Sequence, residues 1–79
     1  MEKYTYDPKG EMGSILKHIG TIIRQHRIKN NLSLEELGLK CRMDHQLLEK
    51  MEMGGVDFSL LDIYAVAHAF KIDVKELLP

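Results

Sequence analysis

The sequence predicts an all-α domain of five helices. Apolar residues recur at steps of three and four, residues suited to helix caps precede each such stretch, and no internal stretch resembles a strand. The chain has 79 residues, which suffice for one small domain with one core and exclude a multidomain enzyme. Apolar residues make up 44% of the chain and Trp is absent, which favours compact helical packing.

The N-terminal part of the sequence divides into an arm and a first helix. Residues 1–13 contain Pro8, Gly10 and Gly13 and have no helical period, so they predict a flexible arm, in which two tyrosines could form a short strand. Residues 14–79 then form the folded domain. The first helix is predicted to open at Ser14 and to end near Asn30 and Asn31, since Asn tolerates the left-handed conformation. Its inward residues are Leu16, Ile19, Ile23 and His26.

The next two helices are short and closely joined. Ser33 and Glu36 have the spacing of a capping box, and Leu37 and Cys41 lie one turn apart on the inner face. Asp44 is the next good N-cap, and the helix that follows it turns Leu48 and Met51 inward. About three residues around Arg42 therefore separate the two helices, so we expect the helices to cross steeply.

The last two predicted helices follow a glycine pair. Gly54 and Gly55 stop the third helix, and Ser59 caps the fourth. Asp73 and Glu76 are expected to cap a short fifth helix. The inward residues of the fourth helix are predicted to be Leu60, Ile63, Val66, Ala67 and Phe70.

Charge and cysteine content exclude several classes of protein. The formal charge of −1 and the pI near 6.4 argue against non-specific coating of nucleic acid, although residues 14–54 carry seven Lys and Arg against five Asp and Glu. The single cysteine, Cys41, cannot form an internal disulfide, so the cytoplasm is the predicted location. No apolar run could span a bilayer, residues 1–13 lack the pattern of a signal peptide, and no cofactor is predicted.

An enzyme is not expected. The four histidines have no metal-ligand spacing, no glycine-rich phosphate loop is present, and Cys41 lies on a core face. Binding to a membrane surface also lacks support, because the basic residues do not form a continuous face.

Four stretches in order resemble the Cro/C1-type helix-turn-helix family of bacterial and phage repressors, also called the XRE family. They are "IGTIIRQHR", "LSLEEL", "LLEKMEMG" and "FSLLDIYAVAHAFKIDVKELL". The resemblance covers about residues 15–78 and implies a five-helix lambda-repressor-like fold that binds double-stranded DNA. It also implies a sequence-specific transcriptional regulator, expected to be a repressor, that binds a palindromic operator as a homodimer.

Three residues are expected to hold the motif together. Gly38 lies where the two motif helices approach most closely, and the lack of a side chain lets their backbones cross. Arg27 and Glu52 match a family pair that joins the first helix to the end of the third by a partly buried salt bridge. We therefore interpret both as structural rather than as DNA contacts.

The exposed side of the third helix is the expected reader of DNA. By match to the family, its contact residues are His45, Gln46, Glu49 and Lys50. Gln46 could bind adenine N6 and N7, Glu49 could accept from cytosine N4, and Lys50 could reach guanine or a phosphate. On the alternative interpretation they are ordinary surface residues.

Several positions depart from the family pattern. Leu34 stands where relatives usually have a phosphate-binding Gln, and the loop of Val56, Asp57 and Phe58 is not basic. Arg42 and Lys71 replace glycines that often follow helices. His26 replaces a core Leu and is interpreted as a packed, hydrogen-bonded imidazole.

The departures leave a second hypothesis open. Apolar side chains are expected on or beside the DNA-facing side at Leu34, Leu39, Leu47, Val56 and Phe58, and an exposed apolar patch more often marks a protein contact. The alternative is therefore a protein-interaction module that keeps the fold and binds a partner through Leu34, Leu47 and Phe58. Ile15, Ile22 and Ile28 could likewise cover the arm or a second subunit.

Overall fold

Four α-helices and one 3₁₀ turn make up the described part of the chain. The computed structural model describes residues 11–78. Its elements, in order, are α1 (Glu11–Lys29), α2 (Leu34–Cys41), α3 (His45–Glu52), α4 (Leu60–Phe70) and a 3₁₀ turn (Val74–Leu77). No strand occurs among these residues, as the sequence predicts.

The predicted fifth α-helix is wrong, because the chain forms only a 3₁₀ turn there. The Asp73 side chain caps the backbone N–H of Lys75, at 2.9 Å, and forms no capping box with Glu76. The Glu76 N–H instead donates to the Asp73 carbonyl, which is the i to i+3 bond of a 3₁₀ helix. The 3₁₀ turn ends at Leu77, since Leu78 has extended backbone.

The first helix begins at Glu11 and not at the predicted Ser14. Gly13 is buried inside the helix, where a glycine weakens a helix without ending it. The last three residues of the predicted arm are therefore helical. The remainder of that arm, 1–10, with the tyrosines of the possible strand, lies outside the described residues.

The predicted caps define the other helix ends. Ser33 and Glu36 form a reciprocal capping box, with 2.9 Å from the Ser33 N–H to Glu36 Oε1 and 3.0 Å from the Glu36 N–H to Ser33 Oγ. Ser59 and Asp62 form a second box at the start of α4. Left-handed backbone follows the C-terminal ends of three helices, at Asn31 (φ 57°), Arg42 (φ 56°) and Lys71 (φ 59°).

One apolar core joins all four helices and the 3₁₀ turn. The inward stripes predicted for α1, α2 and α3 are confirmed, except that His26 is only partly buried. In α4 the prediction for Leu60 is wrong: it is exposed, because at the first position of the helix its side chain does not pack against the core cluster. Buried residues are Leu16, Ile19, Ile23, Leu37, Cys41, Leu48, Met51, Ile63, Val66, Ala67, Phe70 and Leu77.

His26 packs at the edge of this core. Its ring lies 5.5 Å from the ring of Phe70, measured between centroids, with the planes tilted by 32°. The packing matches the prediction, but the described residues give the imidazole no hydrogen bond. None of the described helices combines the length and the hydropathy that crossing a bilayer requires.

Candidate nucleic-acid interface

A sharp turn joins α2 to α3. Left-handed backbone at Arg42 ends α2, and the Met43 N–H donates to the Gly38 carbonyl at 2.9 Å. Asp44 then starts α3, because its Oδ1 accepts from the Gln46 N–H at 2.7 Å. Three residues therefore link the helices, as the two cap signals predict.

Gly38 lies directly beneath this turn. A Cβ placed on Gly38 would lie 2.7 Å from the carbonyl oxygen of Met43 and 3.5 Å from the backbone nitrogen of His45. The first distance is shorter than any real Cβ contact, and the obstructing atom belongs to the backbone. The close approach of α2 to the start of α3 therefore requires a residue without a side chain.

The third helix presents one side to solvent and buries the other. Leu48 and Met51 are completely buried, whereas His45, Gln46, Glu49 and Lys50 are all exposed. Among the described residues, none of these four side chains hydrogen-bonds to another protein group. An imidazole, an amide, a carboxylate and an ammonium group are therefore all available to an outside molecule.

An ion pair fixes the far end of α3 to α1. Arg27 Nε lies 2.7 Å from Glu52 Oε2, and Arg27 Nη2 lies 3.1 Å from Glu52 Oε1. Arg27 Nη1 donates to the Leu32 carbonyl at 2.9 Å, so the same guanidinium also holds the loop before α2. The hydrogen bonds to Glu52 raise the pKa of Arg27, although burial acts in the opposite direction.

Gly20 is a second contact point between α1 and α3 that the sequence analysis missed. Its Cβ would lie 2.1 Å from the Met51 carbonyl oxygen and 2.9 Å from that of Glu52. Gly20 therefore lets the middle of α1 touch the end of α3 backbone to backbone. A glycine in mid-helix costs about 1 kcal/mol relative to Ala, and that cost was the available signal of a close approach.

The expected apolar patch on the DNA-facing side is mostly absent. Leu34, Leu47, Val56 and Phe58 are only partly exposed, and all four pack against the core. Leu39 alone of the five expected residues is strongly exposed, at 83%. The prediction of an exposed patch was wrong for the other four because each side chain packs against the core cluster and is only partly exposed.

Side chains that could bind phosphate are sparse on two flanks of this surface. Leu34 offers no hydrogen-bonding side chain at the start of α2. The loop Gly55–Ser59 carries Asp57 and no Lys or Arg. Groups of His, Cys, Asp and Glu that could hold a metal ion are absent from the described part of the chain.

Comparisons with known proteins agree with this arrangement. A family model described as helix-turn-helix matches residues 23–77, from the second half of α1 to the final 3₁₀ turn. The chain belongs to the XRE family of helix-turn-helix proteins. A search of curated proteins gives no match.

Solved structures of similar shape are also found for this XRE-family chain. The restriction-modification controller protein C.AhdI from Aeromonas hydrophila is 29% identical, with a TM-score of 0.80 over 82% of this chain and 98% of that one. The clp gene regulator ClgR from Corynebacterium glutamicum is 24% identical, with a TM-score of 0.75 over 80% of this chain and 82% of that one. The second likeness concerns the fold alone.

Membership in the XRE family makes this chain a DNA-binding regulator of the XRE type. Within that family pattern, the chain keeps the turn, the α3 surface and the Arg27–Glu52 pair. It departs at Leu34 and in the loop after α3. The departures remove groups that could bind phosphate, whereas the solvent-facing side of α3 remains polar.

Proposed function

We propose that the chain is a sequence-specific DNA-binding transcriptional repressor that inserts α3 into the major groove. The observation that carries the proposal is the two-sidedness of α3: Leu48 and Met51 are completely buried, while His45, Gln46, Glu49 and Lys50 face solvent without intramolecular partners in the described residues. A recognition helix needs this combination, because its inner side must fix the orientation of its outer side. The DNA-binding unit is residues 14–79, and the protein acts in the cytoplasm.

Each exposed residue of α3 has a role in this proposal. Gln46, next to the N-terminus of α3, binds adenine through N6 and N7, and Glu49 accepts a hydrogen bond from cytosine N4. Lys50 binds guanine or a phosphate, and His45 is a further contact at the start of α3. Arg27 and Glu52 keep α3 at a fixed angle, and Gly38 provides room for the turn. All three act on the interface without touching DNA.

The active species in this proposal is a homodimer on a palindromic operator. One domain of this size covers only half a site, and two-fold pairing of half-sites recovers affinity and specificity. Three exposed apolar side chains, Leu60, Leu61 and Tyr64, share one side of α4 and offer a surface for the second copy. A two-fold contact would let the same patch serve both subunits.

Selection from a random duplex library at low and moderate salt tests the function. We expect enrichment of a palindrome whose half-sites are about one helical turn apart. Absence of any enriched sequence, with no binding at low salt, would contradict the proposal. It would favour the alternative, a protein-interaction module with this fold.

Support for that alternative is limited to one exposed apolar side chain. Leu39 is 83% exposed and lines an open cavity of about 540 Å³ beside the α2–α3 turn, together with Arg42 and His45. The residues first expected to bind a partner, Leu34, Leu47 and Phe58, are half-buried and pack against the core. The apolar surface for such a partner is therefore small.

A further inference from the structure

An open cavity of about 220 Å³ lies where α1 meets the start of α2 and the outer side of α3. It borders the proposed recognition surface, because Glu49 forms part of its wall. Leu34, the first residue of α2, forms another part. The lining residues are Arg24, Arg27, Leu34, Glu49, Glu52 and Met53.

The two arginines of this cavity differ in what they contact. Arg27 donates from three nitrogens, to both oxygens of Glu52 and to the Leu32 carbonyl. Its guanidinium is therefore committed to the fold. Arg24 lies three residues earlier on the same side of α1, is exposed, and forms no ion pair or side-chain hydrogen bond among the described residues.

We propose that Arg24 binds a phosphate of the DNA backbone beside the groove that α3 enters. This inference rests on the proposed function. Arg24 shares a cavity with Glu49, so a phosphate that approaches this side of α3 meets the guanidinium next to the carboxylate. A guanidinium presents a fork of donors that fits phosphate oxygens, which makes Arg24 a suitable contact.

Arg24 also compensates for two features of this surface that disfavour phosphate binding. Leu34 cannot donate a hydrogen bond to phosphate, and the carboxylate of Glu49 adds a negative charge beside the cavity. Both residues line the same cavity as Arg24. One cation from α1 therefore supplies a phosphate contact on the side of the interface where α2 supplies none, and it offsets the charge of Glu49.

The salt dependence of duplex binding tests this role. The association constant of the full chain for a short duplex is measured over a range of KCl concentrations, for the wild type, Arg24→Gln, Arg24→Lys and Lys29→Gln. Lys29→Gln is the matched control, because Lys29 is an exposed cation of α1 that does not line the cavity. Loss of one phosphate contact lowers the slope of log K against log salt by about 0.9.

We expect Arg24→Gln to show that loss, Arg24→Lys to keep most of the slope, and Lys29→Gln to match the wild type. If the wild type binds and Arg24→Gln has an unchanged slope, the inference is wrong while the proposed function stands. An equal loss in Lys29→Gln would also overturn it, because a diffuse field of α1 would explain both. A wild type that binds no duplex at any salt concentration contradicts the proposed function and this inference together. Thermal unfolding of each variant verifies that the fold is kept.

Discussion

The carboxylate of Glu52 holds the guanidinium of Arg27 by two hydrogen bonds, of 2.7 and 3.1 Å, and so ties the end of α3 to α1. The side chains are only 15% and 6% exposed, for Arg27 and Glu52 respectively. The pair is therefore shielded from solvent on one side of the proposed recognition helix. The geometry of the pair fixes the orientation of α3 relative to α1.

Removal of one partner of this pair should destabilise the fold strongly. Arg27→Met leaves the Glu52 carboxylate partly buried without its partner, and we expect a loss of about 3 kcal/mol in the free energy of unfolding. The double variant Arg27→Met with Glu52→Met strands no charge. It should lose less stability than the single variants Arg27→Met and Glu52→Met lose together. Urea denaturation measures the free energy of unfolding of all three variants. Arg24→Met, on the exposed side of α1, is the control and should change stability by less than about 0.5 kcal/mol. Strictly additive losses would refute this interpretation of the pair.

Gly20 should be as sensitive to substitution as the residues of the core. Gly20→Ala places a Cβ 2.1 Å from the Met51 carbonyl oxygen, so α1 and α3 must move apart. We expect a loss of about 1 to 3 kcal/mol, the usual cost of overpacking, even though Ala favours helix. Gly55→Ala is the matched control, because its Cβ would meet only the Lys50 carbonyl oxygen at 3.8 Å. A Gly20→Ala variant at least as stable as the wild type would show that the helices do not touch at this point.

The contrast between local and tertiary features explains which elements the sequence could predict. The Ser33–Glu36 box and the Asp44 cap depend on residues two or three positions apart, so spacing alone located them. The partial burial of Leu47, Val56 and Phe58 depends on their packing against the core, which local spacing does not encode. Gly20 belongs to the same class, because its neighbours Met51 and Glu52 are distant in sequence. The DNA-facing residues of α3 were assigned by likeness to a family, and their role stays a prediction.

The capping box of α2 should make stability depend on acid pH. Hydrogen bonding to Ser33, chiefly to its backbone N–H and secondly to its side chain, holds the pKa of Glu36 below its ordinary value of 4.5. A pKa lowered by folding adds stability above the unfolded value, and that contribution is lost as the pH falls through the folded value. Glu36→Gln should therefore be less stable than the wild type at about pH 7 and closer to it at about pH 3. Chemical denaturation at the two pH values measures this gap, with Glu35→Gln as the control for removal of one charge. A gap of constant size would argue against the ionised capping box.

Leu61 should affect self-association if α4 carries the dimer contact. Leu61 is 79% exposed beside Leu60 and Tyr64, and Leu61→Lys places a charge in that apolar surface. We expect sedimentation equilibrium to show a weaker dimer for Leu61→Lys, with unchanged helical content by circular dichroism. Leu39→Lys is the matched control, because Leu39 is 83% exposed on α2. If Leu39→Lys weakens the dimer and Leu61→Lys does not, the contact lies beside the α2–α3 turn instead.

Gln46 and Lys50 should affect DNA binding in different ways. Gln46→Ala removes a side chain that can pair with one base, so it should lose about 1 to 3 kcal/mol of discrimination at a single position of the selected operator. Lys50→Ala should weaken binding to all sequences alike if Lys50 contacts a phosphate, and should reduce the salt slope by about 1. Fluorescence anisotropy on the operator and on its single-base variants separates the two patterns.

The control for both variants is Gln25→Ala, because Gln25 is an exposed glutamine of α1. Because both α3 side chains are exposed, each variant should remain as stable as the wild type, so a change in affinity reports the interface and not the fold. Affinity and base preference that are insensitive to both changes would remove α3 from the proposed recognition surface.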